Sequence, residues 1–197
     1  KFLCKSLTVL SLLVFAACGR AQNVDVDNPP QGRFLDEWFE LHMGGGKIGY
    51  AHNSTSRDKD RVETSTQFHI KIGRADQPVV MDTTQRTVET VQGAPLEFET
   101  QMRFSQMSTS MRGKVQDGKI TLVSSQFGME QTQVFDFPKD ALLAWGLFRE
   151  QVKRGFAQGT KYSLKTYAPE IRLDDAIAAH VMVGGWEQFT LQGKAAQ

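Results

Sequence analysis

The chain has 197 residues, 40% hydrophobic and 23% charged, proportions of one folded domain with at most a tail, which excludes wholesale disorder. Lys and Arg number 23 against 22 Asp and Glu, a formal charge of +1, so nothing favours nucleic-acid binding driven by counterion release. The two cysteines, Cys4 and Cys18, are too few for a disulfide scaffold or a zinc-finger array.

Residues 1–17 read as a secretory signal. Lys1 and Lys5 make a basic start, and Leu7 to Ala17 is an apolar run well short of the roughly twenty residues a spanning helix needs. Phe15-Ala16-Ala17-Cys18 resembles a bacterial lipobox, with Phe15 where that pattern usually has an aliphatic residue. The resemblance implies cleavage before Cys18 and lipidation of its thiol, hence a membrane anchor on an exported, periplasmic or cell-envelope protein. Cleavage after Ala21, in the small-x-small stretch Gly19-Arg20-Ala21, is the alternative. Removal of residues 1–17 takes Lys1 and Lys5 with it, lowering 23 bases to 21 against 22 acids. Residues 18–35, polar and interrupted by Pro29-Pro30, read as a tether.

From residue 36 to 197 a single domain is expected, dominated by period-two alternation. Phe39, Leu41 and Met43 share one face against Glu40 and His42. Val62, Phe68, Ile70 and Ile72 alternate with Glu63, Gln67, His69 and Lys71. Leu96, Phe98, Met102 and Phe104 alternate with Glu97, Glu99, Gln101 and Arg103. Such alternation marks strands with one buried and one wet face, the mark of an antiparallel sheet. Gly44-Gly45-Gly46, Asp58-Lys59-Asp60, Gly93-Ala94-Pro95 and Asp117-Gly118 supply the turns, and Gly184-Gly185 a late reversal. About nine strands in a meander follow.

Residues 139–154 break this rhythm, with Leu142, Trp145, Phe148 and Val152 at helical spacing after Pro138 and before Gly155. Gly146 costs such a helix about 1 kcal/mol relative to Ala, so packing must hold it. A second helical stretch is open to residues 173–179, before Val181 and Val183 return to strand character. The expected fold is therefore mainly β, a strongly curved antiparallel meander, half-barrel or barrel, with one amphipathic helix on its concave face.

Catalytic signatures are thin. There is no Gly-x-Ser-x-Gly elbow, and cleavage leaves no cysteine except the anchor. His42, His52, His69 and His180 lack metal-ligand spacing, although the first hairpin leaves a His42–His52 pair conceivable. Glu97 and Glu99 share a strand face and read as a solvated pair. No cofactor is expected. Phe98, Met102 and Phe104, facing Trp145 and Phe148, form either a filled core or a cavity for an apolar ligand. Trp38 and Trp186 fall on outer elements, where interfaces form.

Glu37-Trp38-Phe39-Glu40-Leu41, followed by Gly46-Lys47-Ile48-Gly49-Tyr50-Ala51-His52, resembles the opening of a β-rich module in bacterial exported proteins. In those proteins the module precedes a transglutaminase-like, papain-fold domain. Thr87-Val88-Glu89, Pro95-Leu96-Glu97-Phe98, Phe137-Pro138, Gly159-Thr160-Lys161-Tyr162 and Val181-x-Val183-Gly184 extend the likeness over residues 36–192. The resemblance implies a non-catalytic accessory module, since no position here matches the Cys-His-Asp triad of the downstream domain. It implies a following domain as partner; the Lys1 start and the connector-like Thr190 to Lys194 fit a segment of a longer protein. Curved-sheet periplasmic lipoproteins that carry lipids are the second resemblance, resting on inferred shape.

Overall fold

Alternating strands joined by short turns pair with their sequence neighbours, and here that rule builds the whole main sheet. The computed structural model describes residues 24–74, 77–185, 189–191 and 194–196; the leader, Cys18 and Trp186 lie outside them. Eight strands run in sequence order: β1 (Gly32–Met43), β2 (Gly46–Asp58), β3 (Arg61–Arg74), β4 (Gln77–Thr90), β5 (Pro95–Phe104), β6 (Met107–Gln116), β7 (Lys119–Gln126) and β8 (Met129–Asp136). Each pair is antiparallel, and β1 does not meet β8, so the sheet is an open half-barrel. Asp117 (φ 51°) and Gly118 (φ 72°) both adopt the left-handed backbone their hairpin requires. Phe127 (φ 52°) and Gly128 (φ 77°) make a similar reversal between β7 and β8, a turn that Phe does not advertise.

After the meander come β9 (Ala141–Leu142), α1 (Ala144–Arg154), β10 (Lys161–Thr166) and β11 (Ile177–Met182). They are followed by the short hairpin β12 (Phe189–Leu191) and β13 (Lys194–Ala196). β9 to β11 form a three-stranded sheet in which β9 runs parallel to β10. The helix expected over 139–154 is thus shorter at its start. Asp140 turns the chain at φ 61°, and the Leu142 carbonyl accepts the Tyr167 N–H at 3.0 Å instead of an intrahelical bond. Non-local pairing outcompetes the helical stripe at Leu142. Residues 173–179 form no helix for the same reason, Ile177 to Ala179 being paired with β10.

The segment before β1 is packed against the domain. Val26 and Pro29 are buried, and the Arg57 guanidinium donates to Asn28 Oδ1 at 2.7 Å and to the Pro29 carbonyl at 2.6 Å. The polar stretch expected as tether to residue 35 is therefore held to the fold from Val24 onward, and Gly32 already belongs to β1.

Two apolar clusters fill the concave side. Trp145 and Phe148 of α1 pack with Val26, Leu35, Val62 and Val91. Phe98 packs instead with Ile120, Leu122, Ala141, Leu143 and Tyr167. Each fully buried side chain of this kind contributes ~1.5–3 kcal/mol. The expected face-to-face arrangement of Phe98 with Trp145 and Phe148 is replaced by this division, because α1 sits over β3 and β4.

Candidate functional site

The N-cap of α1 is Leu143, whose side chain cannot accept from the unpaired amides of the first turn. The cap comes from β4. The Glu89 carboxylate accepts the N–H of Trp145 at 2.6 Å and of Gly146 at 2.8 Å, and the Thr87 hydroxyl donates to it at 3.2 Å. Glu89 is fully buried, and burial outweighs these donors, pushing its carboxyl up to about 7. Gly146 permits this approach: a Cβ there would lie 3.2 Å from Glu89 Oε2 and 3.2 Å from the Gly93 carbonyl.

Two more side chains fix the helix. Trp145 Nε1 donates to the Val91 carbonyl at 2.9 Å, and Arg149 donates to the same oxygen at 2.8 Å. Arg149 also donates to the Val26 carbonyl and to Asp27 Oδ1, the latter at 2.9 Å. One buried guanidinium thereby ties α1, the β4–β5 turn and the N-terminal segment together.

Beneath α1 the concave face is unexpectedly polar. Glu37, Asn53, Thr66, Gln85 and Thr100 form one cross-strand row. Asn53 is 3% exposed, and neither its Nδ2 nor its Oδ1 has a hydrogen-bond partner. It borders a void of about 10 Å³ together with Glu37, Thr55, Thr64 and Trp145. Partial burial raises the Glu37 carboxyl above its ordinary value. Next to this void is a cleft of about 80 Å³ between Thr66, Gln85, Thr100, Leu147 and Tyr167. Gln85 Nε2 donates to Glu170 Oε1 across it at 2.8 Å. Spaces of this size are well below the ~300–1,000 Å³ that drug-sized ligands occupy.

Of the five side chains considered as facing an apolar ligand, Phe98, Trp145 and Phe148 are core residues. Met102 is half-buried, and Phe104, 46% exposed, stands where β5 turns into β6. Both lie past the cover of α1, on the same sheet face as Met81 and Met107.

The outer face of the main sheet carries His42, His52 and His69. His52 lies 2.8 Å from Asp36 Oδ1 and stacks on Trp38 with ring centroids 4.2 Å apart. His69 lies 2.6 Å from Asp82, which also accepts from Arg103; the Arg103 bond, then the His69 bond, hold that carboxyl below its ordinary value. His42 pairs with Glu40 at 3.1 Å rather than with His52. Among the described residues no cluster of three or more His, Cys, Asp or Glu is placed to hold a metal ion. Glu99 faces Arg86 across the wet side of the sheet.

One contact escaped the sequence reading: Ser163 Oγ and His180 Nδ1 are 2.8 Å apart, directly opposite on β10 and β11. Their separation of seventeen residues carries no motif, and only the strand register brings them together. Both side chains are exposed. A working nucleophile–base pair also needs an orienting acid and oxyanion donors. Among the described residues no carboxylate hydrogen bond to His180 accompanies the pair.

Comparisons with protein-family models, with curated proteins and with solved structures find no match to this chain.

Proposed function

We infer that the chain is a non-catalytic β-rich accessory module of an exported, lipid-anchored bacterial protein of the transglutaminase-like class. It packs against a downstream papain-fold domain and positions its substrate. The observation that carries this reading is the fixing of α1. A carrier holding its cargo beneath α1 needs a helix that can yield, whereas here Glu89, Trp145 and Arg149 bind α1 to β4 and the turn after it through buried hydrogen bonds. Such a filled half-barrel suits a rigid support, and the open inner strip of Met81, Met102, Phe104 and Met107 is the surface a neighbouring domain would cover.

That same strip favours a second reading, a periplasmic lipoprotein carrier of a lipid or other apolar ligand. Its cargo would lie beyond α1 rather than beneath it, against Met102 and Phe104. Reading the gene past Gln197 tests the first proposal. An open frame encoding a Cys…His…Asp papain-fold domain is the expected result, and a frame without one overturns it. Native mass spectrometry of gently purified protein separates the second, which requires a co-purifying apolar molecule.

A further inference from the structure

The two free edges of the main sheet are built differently. β1 is interrupted by register shifts between Arg33 and Leu35 and between Leu41 and His42, and it carries Arg33, Asp36, Glu37 and Glu40. Bulges and charges are the devices that keep an edge strand from pairing with another chain. β8 (Met-Glu-Gln-Thr-Gln-Val-Phe-Asp) has no register shift, no proline and no basic residue, and its two carboxylates, Glu130 and Asp136, are paired with Arg112 of β6 and Lys119 of β7. It is exposed along nearly its whole length, with Met129 at 70% and Val134 at 63%. Among the described residues nothing pairs with its outer side.

The direction of its unpaired groups follows from the β7–β8 hairpin. Gln126 and Met129 flank a two-residue turn and so form a hydrogen-bonded pair, which makes Gln131, Gln133 and Phe135 the other residues bonded to β7. The Phe137 N–H continues that parity by donating to the Gly118 carbonyl at 2.7 Å. Glu130, Thr132, Val134 and Asp136 therefore aim their N–H and C=O groups outward.

We propose that β8 is a homotypic docking edge: two copies of this chain join β8 to β8 in antiparallel register about Thr132, continuing one sheet through both molecules. A two-fold axis normal to the sheet keeps side chains on their own faces, so the register must centre on a residue. Centring on Gln133 sets Glu130 against Asp136 of the second copy, a like-charge pair. Centring on Gln131 uses fewer residues of the strand. Centring on Thr132 sets Thr132 opposite Thr132 and Glu130 opposite Val134 on the outer face. On the inner face it sets Gln131 opposite Gln133 and Met129 opposite Phe135. Every outward backbone group from Glu130 to Val134 then has a partner, no like charges meet, and Met129 and Val134 gain cover. A single ladder is a small interface, so association is concentration-dependent.

Sedimentation equilibrium of the full chain over a concentration series, with charge-swap variants, tests this register. The wild type is expected to dimerise. Val134→Glu, which places a carboxylate opposite Glu130 twice across the axis, is expected to weaken dimerisation about tenfold. Adding Glu130→Lys to it restores the dimer through two opposite-charge pairs. With Cys4 and Cys18 replaced by Ser, Thr132→Cys is expected to form an intermolecular disulfide under mild oxidation, since facing Cα atoms ~5.5 Å apart suit that bond. Circular dichroism confirms that each variant is folded, as substitution at exposed strand positions should allow. A wild type that stays monomeric, or a dimer indifferent to Val134→Glu and uncrosslinked through position 132, overturns the proposal.

Discussion

Glu89 on β4 and Trp145 on α1 are fifty-six residues apart, yet the carboxylate of one accepts the backbone N–H of the other at 2.6 Å. A helix whose own N-cap, Leu143, offers no hydrogen-bonding side chain is thus capped by the sheet it covers. Removal of the carboxylate should unfasten that helix. Glu89→Ala leaves two buried amides without partners and is expected to cost on the order of 2–4 kcal/mol in urea denaturation. A loss under about 0.5 kcal/mol, the range of surface substitutions, would contradict the cap.

The same residue sets a pH dependence. Its folded carboxyl titrates at about 7 against an ordinary 4.5, so the folded state holds the proton more tightly than the unfolded state. Below 4.5 both states are protonated and Glu89 contributes no slope. Between 4.5 and about 7 the unfolded chain ionises first, and stability from this group falls as pH rises. Melting temperature measured across that interval should therefore decline more steeply in wild type than in Glu89→Gln. Parallel profiles would refute the assignment.

Gly146 offers a test in which two principles predict opposite signs. Helix propensity alone says Gly146→Ala stabilises by about 1 kcal/mol. Packing says otherwise, since the new Cβ meets Glu89 Oε2, the Gly93 carbonyl and Leu142 Cδ2, each at 3.2 Å. The expected outcome is net destabilisation of ~1 kcal/mol, read by chemical denaturation. A stabilised variant would show that α1 has room to move.

Asn53 is a buried amide without a protein partner, an arrangement that lowers stability. Asn53→Leu, similar in shape and free of polar atoms, should raise stability by roughly 1–2 kcal/mol in thermal unfolding. A destabilised Asn53→Leu would mean that the amide is satisfied where it stands.

Ser163 and His180 face each other on exposed strand positions, where a probe can reach the hydroxyl. With no carboxylate hydrogen bond to His180 among the described contacts, a fluorophosphonate probe is expected to leave Ser163 unlabelled, identically in wild type and His180→Ala. Labelling that disappears in His180→Ala would establish an active pair.

Much of this fold was readable from alternation and turn residues, because both are local: Phe98 against Glu99, or Asp117-Gly118, need no distant information. The first register of α1 was not, since Leu142 fits a helical stripe but bonds to Tyr167, twenty-five residues later. The functional features were hidden for the same reason. Glu89 reads as one more polar residue of a strand until Gly146 and Trp145 arrive over it. Asn53 and Thr64 stand where apolar residues would in the alternation, on neighbouring rows of the concave face that Trp145 of α1 covers. The Ser163–His180 contact is a consequence of register between β10 and β11. Phe98, Trp145 and Phe148 were recognisable as inward-facing, but their division between two clusters depends on where the helix crosses.

Buried hydrogen bonds to Glu89 and to the Val91 carbonyl fasten α1 to the half-barrel. Hydrogen exchange of the amides of residues 144–154, with and without a fatty-acid probe, tests that fastening most directly. A fastened helix is expected to show protection equal to that of the β3 and β4 core and unchanged by the probe. Exchange in α1 far faster than in those strands, slowed when the probe is added, would contradict it.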